Sequence, residues 1–97
     1  MAKFDSIYNY YENPVFAEIE QLLSSTEYAD DPDFYDDVAC VALNQLQPHY
    51  VRHSVDAGFY MTSEDHAKIH ENVKIAVSTG LEKVKKYRAG PSRENTE

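Results

Sequence analysis

The strongest constraint on the fold is an apolar stripe in the last third of the chain. Its members are three or four residues apart, the spacing that places side chains on one face of an α-helix. They are Ile69, Val73, Ala76, Val77, Gly80, Leu81, Val84 and Tyr87. Thr62 or Ser63 is a suitable N-cap before it. The pattern predicts a helix of about seven turns. Glycine is a poor helix former, so Gly80 in the stripe indicates that another helix crosses closely there.

Two shorter helices are predicted upstream. We expect a helical turn from about 5 to 12 and then a helix over about 14–24, in which Asn13-Pro14 has the character of a cap and first helical residue. Asp31-Pro32 is a similar start for a helix over about 33–46. Its apolar face would hold Tyr35, Val38, Ala39, Ala42, Leu43 and Leu46. Pro48 ends it, because a residue before proline avoids helical geometry.

The resulting fold class is mainly α. We expect one small helical domain over residues 1–88, with three main helices and an extended loop at 49–61, and a flexible tail at 89–97. A chain of 97 residues has a thin core, and such chains often bury further surface against a second copy.

Charge excludes two classes of partner. The net charge is −8, and duplex nucleic acid and anionic membranes repel such a protein. Residues 1–48 hold ten acids and one base, whereas residues 49–97 hold seven acids and eight bases, so an anion would bind in the second half. No stretch approaches the ~18 apolar residues of a membrane span, and the N-terminus lacks the apolar run of a signal peptide. We expect a cytoplasmic protein.

Metal-ligating residues are sparse. The single cysteine, Cys40, lies in an apolar run, and we expect it to be buried. His66 and His70 would share a helical face, as two metal ligands must, or simply lie on a partly exposed helix start. The zinc-protease motif needs a glutamate where Ala67 stands. We therefore assign no metal site.

A cluster of aspartates precedes the second predicted helix. It comprises Asp30, Asp31, Asp33, Asp36 and Asp37. The cluster suits either the positive end of the helix dipole or a divalent cation. The calcium-loop template requires a glycine at its turn and a glutamate at its twelfth position, and this segment has neither. We favour the dipole interpretation.

Arg52 is the best candidate for a binding residue. It is the only arginine before position 88, and His49, Tyr50, His53 and Tyr60 surround it in the sequence. A guanidinium group among aromatic rings suits a nucleotide, since rings stack and the guanidinium binds phosphate or a guanine edge. The alternative is a salt bridge from Arg52 to Asp56 or to one of the pair Asp36 and Asp37. No nucleophile–base pair and no glycine-rich phosphate loop is present, so we predict that the protein is not an enzyme.

Two segments together resemble the ComFB family, named for late competence development. They are NYYENPVFAEIEQLL at 9–23 and DVACVALNQLQPHYV at 37–51. The matching residues are Asn9, Glu12, Val15, Glu18, Ile19, Asp37, Val38, Ala42, Leu43, Asn44, Leu46, Pro48, Tyr50 and Val51, with Tyr60 and Thr62 in a later piece. The resemblance covers about residues 5–87.

The resemblance implies a small, mainly helical homodimer in the bacterial cytoplasm, without enzymatic activity. Some members bind zinc through a cysteine cluster before the central helix. This chain has TEYADDPDFY there, with no cysteine, so we expect no cofactor. Cyanobacterial members are similar to receptors for cyclic dinucleotides that affect competence, pili or cell behaviour.

Two functions follow as hypotheses. The first is a dimeric regulator that binds cyclic di-GMP (c-di-GMP) near the 49–60 loop, with Arg52, Tyr50, His49, His53 and Tyr60 as the site. The second is an adaptor that binds another regulatory protein through its acidic, tyrosine-rich first half, without a small ligand. The candidate surface for the second is Tyr8, Tyr10, Tyr11, Tyr28, Phe34 and Tyr35.

Overall fold

The structure, a computed structural model, describes residues 3–52 and 61–89. Its elements follow in the order β1 (Tyr8–Asn9), α1 (Glu12–Leu23), α2 (Pro32–Gln45), β2 (Tyr50–Val51) and α3 (Ser63–Ala89). The prediction of a small, mainly α fold with three main helices is confirmed for the described ranges. None of the described helices is both long and apolar enough to cross a lipid bilayer. Of the flexible tail expected at 89–97, Ala89 is the last residue of α3, and residues 90–97 lie outside the described residues.

The starts of α2 and α3 confirm the sequence signals. Asp31 Oδ1 accepts a 3.0 Å hydrogen bond from the Phe34 amide, and a proline opens α2. At α3, Thr62 Oγ1 accepts from the Asp65 amide at 3.0 Å, while Asp65 Oδ2 accepts from the Thr62 amide at 3.1 Å. Such reciprocal caps satisfy amides that have no partner within the helix. The hydrogen bond from the Thr62 amide to the carboxylate holds the pKa of Asp65 below its ordinary value.

The N-terminal region differs from its prediction. Helix α1 begins at Glu12, two residues earlier than expected. Pro14 lies in its first turn, where a helix needs no N–H donor. The helical turn expected over 5–12 is wrong in its centre, because Tyr8 and Asn9 form β1 instead. Their backbone pairs with a segment about forty residues away, which overrides local helical preference.

The helices form one core. Helix α2 packs most extensively against α3, and α1 packs against both. The buried apolar residues are Tyr11, Val15, Ile19, Leu23, Phe34, Val38, Ala42, Val73, Ala76, Val77 and Val84. The stripe predicted for α3 therefore faces the core over most of its length, although Tyr87 at its end is 54% exposed.

Gly80 marks the crossing of α2 and α3, as predicted. A Cβ atom on Gly80 would lie 3.2 Å from the Val38 carbonyl oxygen and 3.4 Å from the Ala42 amide nitrogen. These atoms belong to the backbone of α2, so the two helices lie too close for a larger residue without movement. The crossing fixes the two helices against each other midway along their contact.

Two polar contacts define how the helices run. Asn72 in α3 bonds Tyr11, which lies just before α1, and Arg88 at the end of α3 bonds Asp31, which lies just before α2. Helices α1 and α3 therefore run in the same direction, and α2 runs opposite to both. The bundle has two ends, one near Asn72 and one near Arg88.

The prediction that Cys40 is buried is wrong, because its side chain is exposed. Successive helical residues are rotated by about 100°, so Cys40 lies about 200° around α2 from Val38. Val38 is buried, which places Cys40 on the opposite side of the helix. The apolar run in the sequence covered both faces of α2, and only one of them reaches the core.

Candidate functional site

A buried asparagine organises one end of the bundle. Asn9 is 9% exposed. Its Oδ1 atom accepts hydrogen bonds from the Tyr11 amide at 3.2 Å and from the His49 amide at 3.0 Å. One side-chain atom thus joins the start of α1 to the segment that follows α2. We call Asn9, Tyr11, His49 and Asn72 the amide end.

Backbone pairing reinforces this junction. Strands β1 and β2 are antiparallel, with Tyr8 opposite Val51 and Asn9 opposite Tyr50. The Tyr10 amide also donates to the His49 carbonyl oxygen at 2.7 Å, and the two rings meet edge to face at 6.2 Å. The extended piece expected within 49–61 is confirmed at β2. Its partner strand was not predicted.

The binding residues predicted around Arg52 fall partly on this segment. Tyr50 is 65% exposed, and His49 and Arg52 are also exposed. Tyr50 belongs to β2 and Arg52 follows β2 directly, so the two exposed side chains lie two residues apart on one short segment. Two further members of the predicted site, His53 and Tyr60, lie outside the described residues. The structure therefore places three of the five on one short segment held by Asn9.

A pocket of about 330 Å³ opens beside this segment, between the end of α2 and the middle of α3. Its polar lining consists of Tyr11, Gln45, Gln47 and Asn72, and its apolar lining of Leu46, Ile75 and Ala76. None of these described lining residues is charged. Asn72 Nδ2 donates to the Tyr11 hydroxyl oxygen at 3.2 Å, which ties the pocket wall to the amide end.

The opposite end of the bundle is built on charge and stacked rings. Arg88 donates to Asp31 at 3.0 Å and to Asp37 at 3.3 Å. Its guanidinium carbon lies 5.0 Å from the centre of the Phe34 ring. The opposing Tyr28 ring is stacked on Phe34 at 3.8 Å with an angle of 4°. We call these five residues the charged end.

Hydrogen bonds within the charged end shift the pKa values of Asp31 and Arg88. The hydrogen bond from the Phe34 amide, followed by that from Arg88, holds the pKa of Asp31 below its ordinary value of 3.8. Hydrogen bonds to the two aspartates raise the pKa of Arg88. This gives two members of the aspartate cluster a structural role: Asp31 caps α2 and binds Arg88, and Asp37 binds Arg88.

Two aromatic residues that the sequence analysis assigned to an exposed binding surface are buried in the structure. Tyr11 and Phe34, proposed as part of a tyrosine-rich binding surface, are buried at 7% and 0% exposure. The ion-pair partner of Asp37 is Arg88 rather than Arg52. Asn9 was matched to a family pattern, but its chemistry gave no signal of its role. If the sequence analysis had assumed that α2 and α3 run antiparallel, it would have predicted the contact between Arg88 and the aspartates at the start of α2.

The described residues contain no group of three or more histidine, cysteine, aspartate or glutamate side chains positioned to hold a metal ion. His66 and His70 are both exposed near the start of α3. A second groove of about 360 Å³ lies elsewhere, between the outer faces of α2 and α3. Cys40, Val41 and Tyr87 are among the residues that line it.

Comparison with known proteins decides the family. A family model described as late competence development protein ComFB matches residues 8–88. This chain belongs to the ComFB family. The ComFB match begins at the first residue of β1 and ends one residue before the end of α3, so it includes the amide end, the charged end and the pocket. No curated protein and no solved structure is significantly similar to the chain.

Proposed function

We propose that this ComFB-family protein is a non-enzymatic, homodimeric regulator of the bacterial cytoplasm that binds c-di-GMP. It would relay the level of this second messenger to competence, pili or motility-type behaviour. The observation that carries the proposal is the exposure of both Tyr50 and Arg52 on one short segment whose backbone Asn9 holds.

The chemistry of this pair suits a cyclic dinucleotide. An exposed tyrosine ring offers a flat surface for a purine base, and such stacking is worth roughly 1–3 kcal/mol per base. A guanidinium group can form two parallel hydrogen bonds to a phosphate or a guanine edge. The fixed backbone lowers the ordering cost of binding, because the segment does not need to fold around its ligand.

The dimer part of the proposal is supported by the surface of the single chain. Phe16, Leu22, Ile75 and Tyr87 are each at least 40% exposed. Phe16 and Leu22 flank the buried stripe of α1, so a second copy could extend the core there. Light scattering at micromolar concentration should give about twice the chain mass of 11.1 kDa. The mass of a single chain would contradict the dimer.

The binding test is a calorimetric titration with c-di-GMP at physiological salt. Cyclic di-AMP and GTP serve as ligand controls. We expect Arg52→Ala and Tyr50→Ala each to weaken c-di-GMP binding at least tenfold, since each removes a direct contact. Lys74→Ala, which removes an exposed cation on α3, is the matched control and should bind as the wild type does. Unchanged affinity in Arg52→Ala would refute this assignment of the site.

An adaptor without a small ligand is the second candidate. The structure favours a smaller surface for it than the sequence suggested, because Tyr11 and Phe34 belong to the core. The exposed Phe16 and Leu22 on α1 are the observation that keeps it. Absence of heat with all three nucleotides, together with a partner interaction lost in Phe16→Ala and kept in Arg52→Ala, would favour the adaptor.

A further inference from the structure

We propose that the pocket between the end of α2 and the middle of α3 is a base-binding subsite, which holds one guanine of the cyclic dinucleotide. This inference rests on the proposed function and extends it, because it adds a second contact area that the predicted site did not include. Five of the seven residues that line the pocket would contact the base: Tyr11, Leu46, Gln47, Asn72 and Ile75.

The pocket wall holds a polar group whose hydrogen-bonding capacity is only partly used. Tyr11 is 7% exposed, and its hydroxyl oxygen accepts a hydrogen bond from Asn72 Nδ2. Among the described residues, that hydroxyl donates to no acceptor, and Asn72 Oδ1 accepts from no donor. Buried polar groups are normally satisfied. A bound molecule with an acceptor at its edge would satisfy the hydroxyl of the buried Tyr11, and a donor beside that acceptor would pair with the half-buried Asn72.

The hydrogen-bonding groups and apolar surface of the pocket lining match those of a nucleobase. Amide side chains present a donor and an acceptor side by side, which is how asparagine and glutamine pair with base edges. Leu46 is half-buried, and Ile75 is 56% exposed beside it. A flat ring laid against Ile75 would remove apolar surface from water, which is favourable by ~25 cal/mol per Å². The uncharged lining favours a neutral base over a phosphate.

The pocket lies close to the segment that carries Tyr50 and Arg52. Gln47 precedes Tyr50 by three residues, so the two backbones are at most about 10 Å apart. Asn9 binds the amide of Tyr11 on the pocket wall and the amide of His49 on the segment. One base in the pocket and a phosphate at Arg52 would therefore occupy two parts of one rigid unit. A volume of about 330 Å³ suits one base and not a whole dinucleotide.

The test fills the pocket. Ile75→Trp places a large ring where the base would lie, and Lys74→Trp adds the same ring at an exposed neighbouring position about 100° around α3. Calorimetry with c-di-GMP should show at least tenfold weaker binding for Ile75→Trp and wild-type binding for Lys74→Trp. Gln47→Ala, at an exposed position, should weaken binding about threefold or more without affecting the fold. Wild-type affinity in both pocket variants would overturn the subsite and leave the proposed function standing.

A second measurement separates the two proposals. In ¹⁵N-correlated spectra, the side-chain amide signals of Asn72 and Gln47 should shift when c-di-GMP is added. If the wild type gives no heat with c-di-GMP, the proposed function fails. Millimolar GMP is then the probe: shifts of these two amides in the wild type, lost in Ile75→Trp, would uphold a guanine subsite. No shift with either nucleotide would overturn it.

Discussion

The two ends of the helical bundle are held by different chemistry. At the charged end, Arg88 bonds two aspartates and covers a buried ring, and every member of the group contacts another. At the amide end, one neutral oxygen of Asn9 joins two backbone segments, and the hydroxyl of Tyr11 donates to no acceptor in the part of the chain that the structure describes.

This difference supports our proposal that the amide end carries the binding site, whereas the charged end stabilises the fold. The charged end is a network around Phe34 that joins Arg88 of α3 to Asp37 of α2 and to Asp31 just before α2, so it can hold α2 and α3 together. The amide end carries exposed Tyr50 and a polar pocket on a fixed backbone. Binding residues often lie on connecting segments that a rigid scaffold positions, and the amide end has this arrangement.

The largest effect is expected at the charged end. Phe34→Ala removes a fully buried ring that lies between Tyr28 and Arg88. Loss of such a ring typically lowers the free energy of unfolding by about 3–5 kcal/mol. Urea denaturation followed by circular dichroism measures this change. Phe16→Ala is the matched control, because Phe16 is 45% exposed and its removal leaves a smaller cavity.

Equal losses of stability in Phe34→Ala and Phe16→Ala would contradict the special contribution of the charged end to stability. That result would mean that α1 contributes as much as the ring cluster, for instance because α1 is covered in a dimer. Repeating both denaturations at several protein concentrations identifies this cause, since the stability of a dimer rises with concentration.

An intermediate effect is expected at the amide end. Asn9→Ala leaves the amides of Tyr11 and His49 without their shared acceptor, and an unsatisfied buried donor costs about 1–3 kcal/mol. Hydrogen exchange should accelerate at these two amides more than at amides in the middle of α2. Asn44→Ala, at an exposed position on α2, should change neither quantity. Uniform acceleration along the whole chain would show that Asn9 supports the global fold and not the junction.

The smallest effect is expected from the charge of Asp31. Its folded pKa lies below 3.8, so its carboxylate stabilises the fold above that pH, and this contribution disappears as the pH falls through the folded pKa. Asp31→Asn keeps the cap acceptor and removes the charge. Its melting temperature should be slightly below that of the wild type at pH 7, and the two should converge as the pH falls from 3.8 through the folded pKa. Asp30→Asn is the control, and an equal deficit there would assign the effect to net charge alone.

Local sequence signals predicted the helices well. The three- and four-residue spacing in α3 and the Asp31-Pro32 start of α2 depend on residues within one or two turns of each other. Gly80 was also informative, because a glycine weakens a helix and its small size within an apolar face suits the close approach of a neighbouring backbone. These features are encoded locally, so a single sequence is enough to find them.

The pairing of distant segments could not be predicted in the same way. Strand β1 has two residues, too few for an alternating pattern, and its partner β2 lies about forty residues later. The candidate site could not be predicted for the same reason, because Tyr11, Asn72 and Gln47 come together only once α1, α2 and α3 are packed. Arg52 stood out through its neighbours in sequence, whereas Asn9 and Arg88 act through neighbours in space.

The exposure of Cys40 has a practical consequence. It is the only cysteine in the chain, it is exposed on α2, and it is not among the residues that line the pocket at the end of α2. A fluorophore or spin label can therefore be attached to the unaltered protein at one known place. In a symmetric pair of chains, the distance between two such labels would report how the copies are arranged, and its change on adding a nucleotide would report whether that arrangement responds.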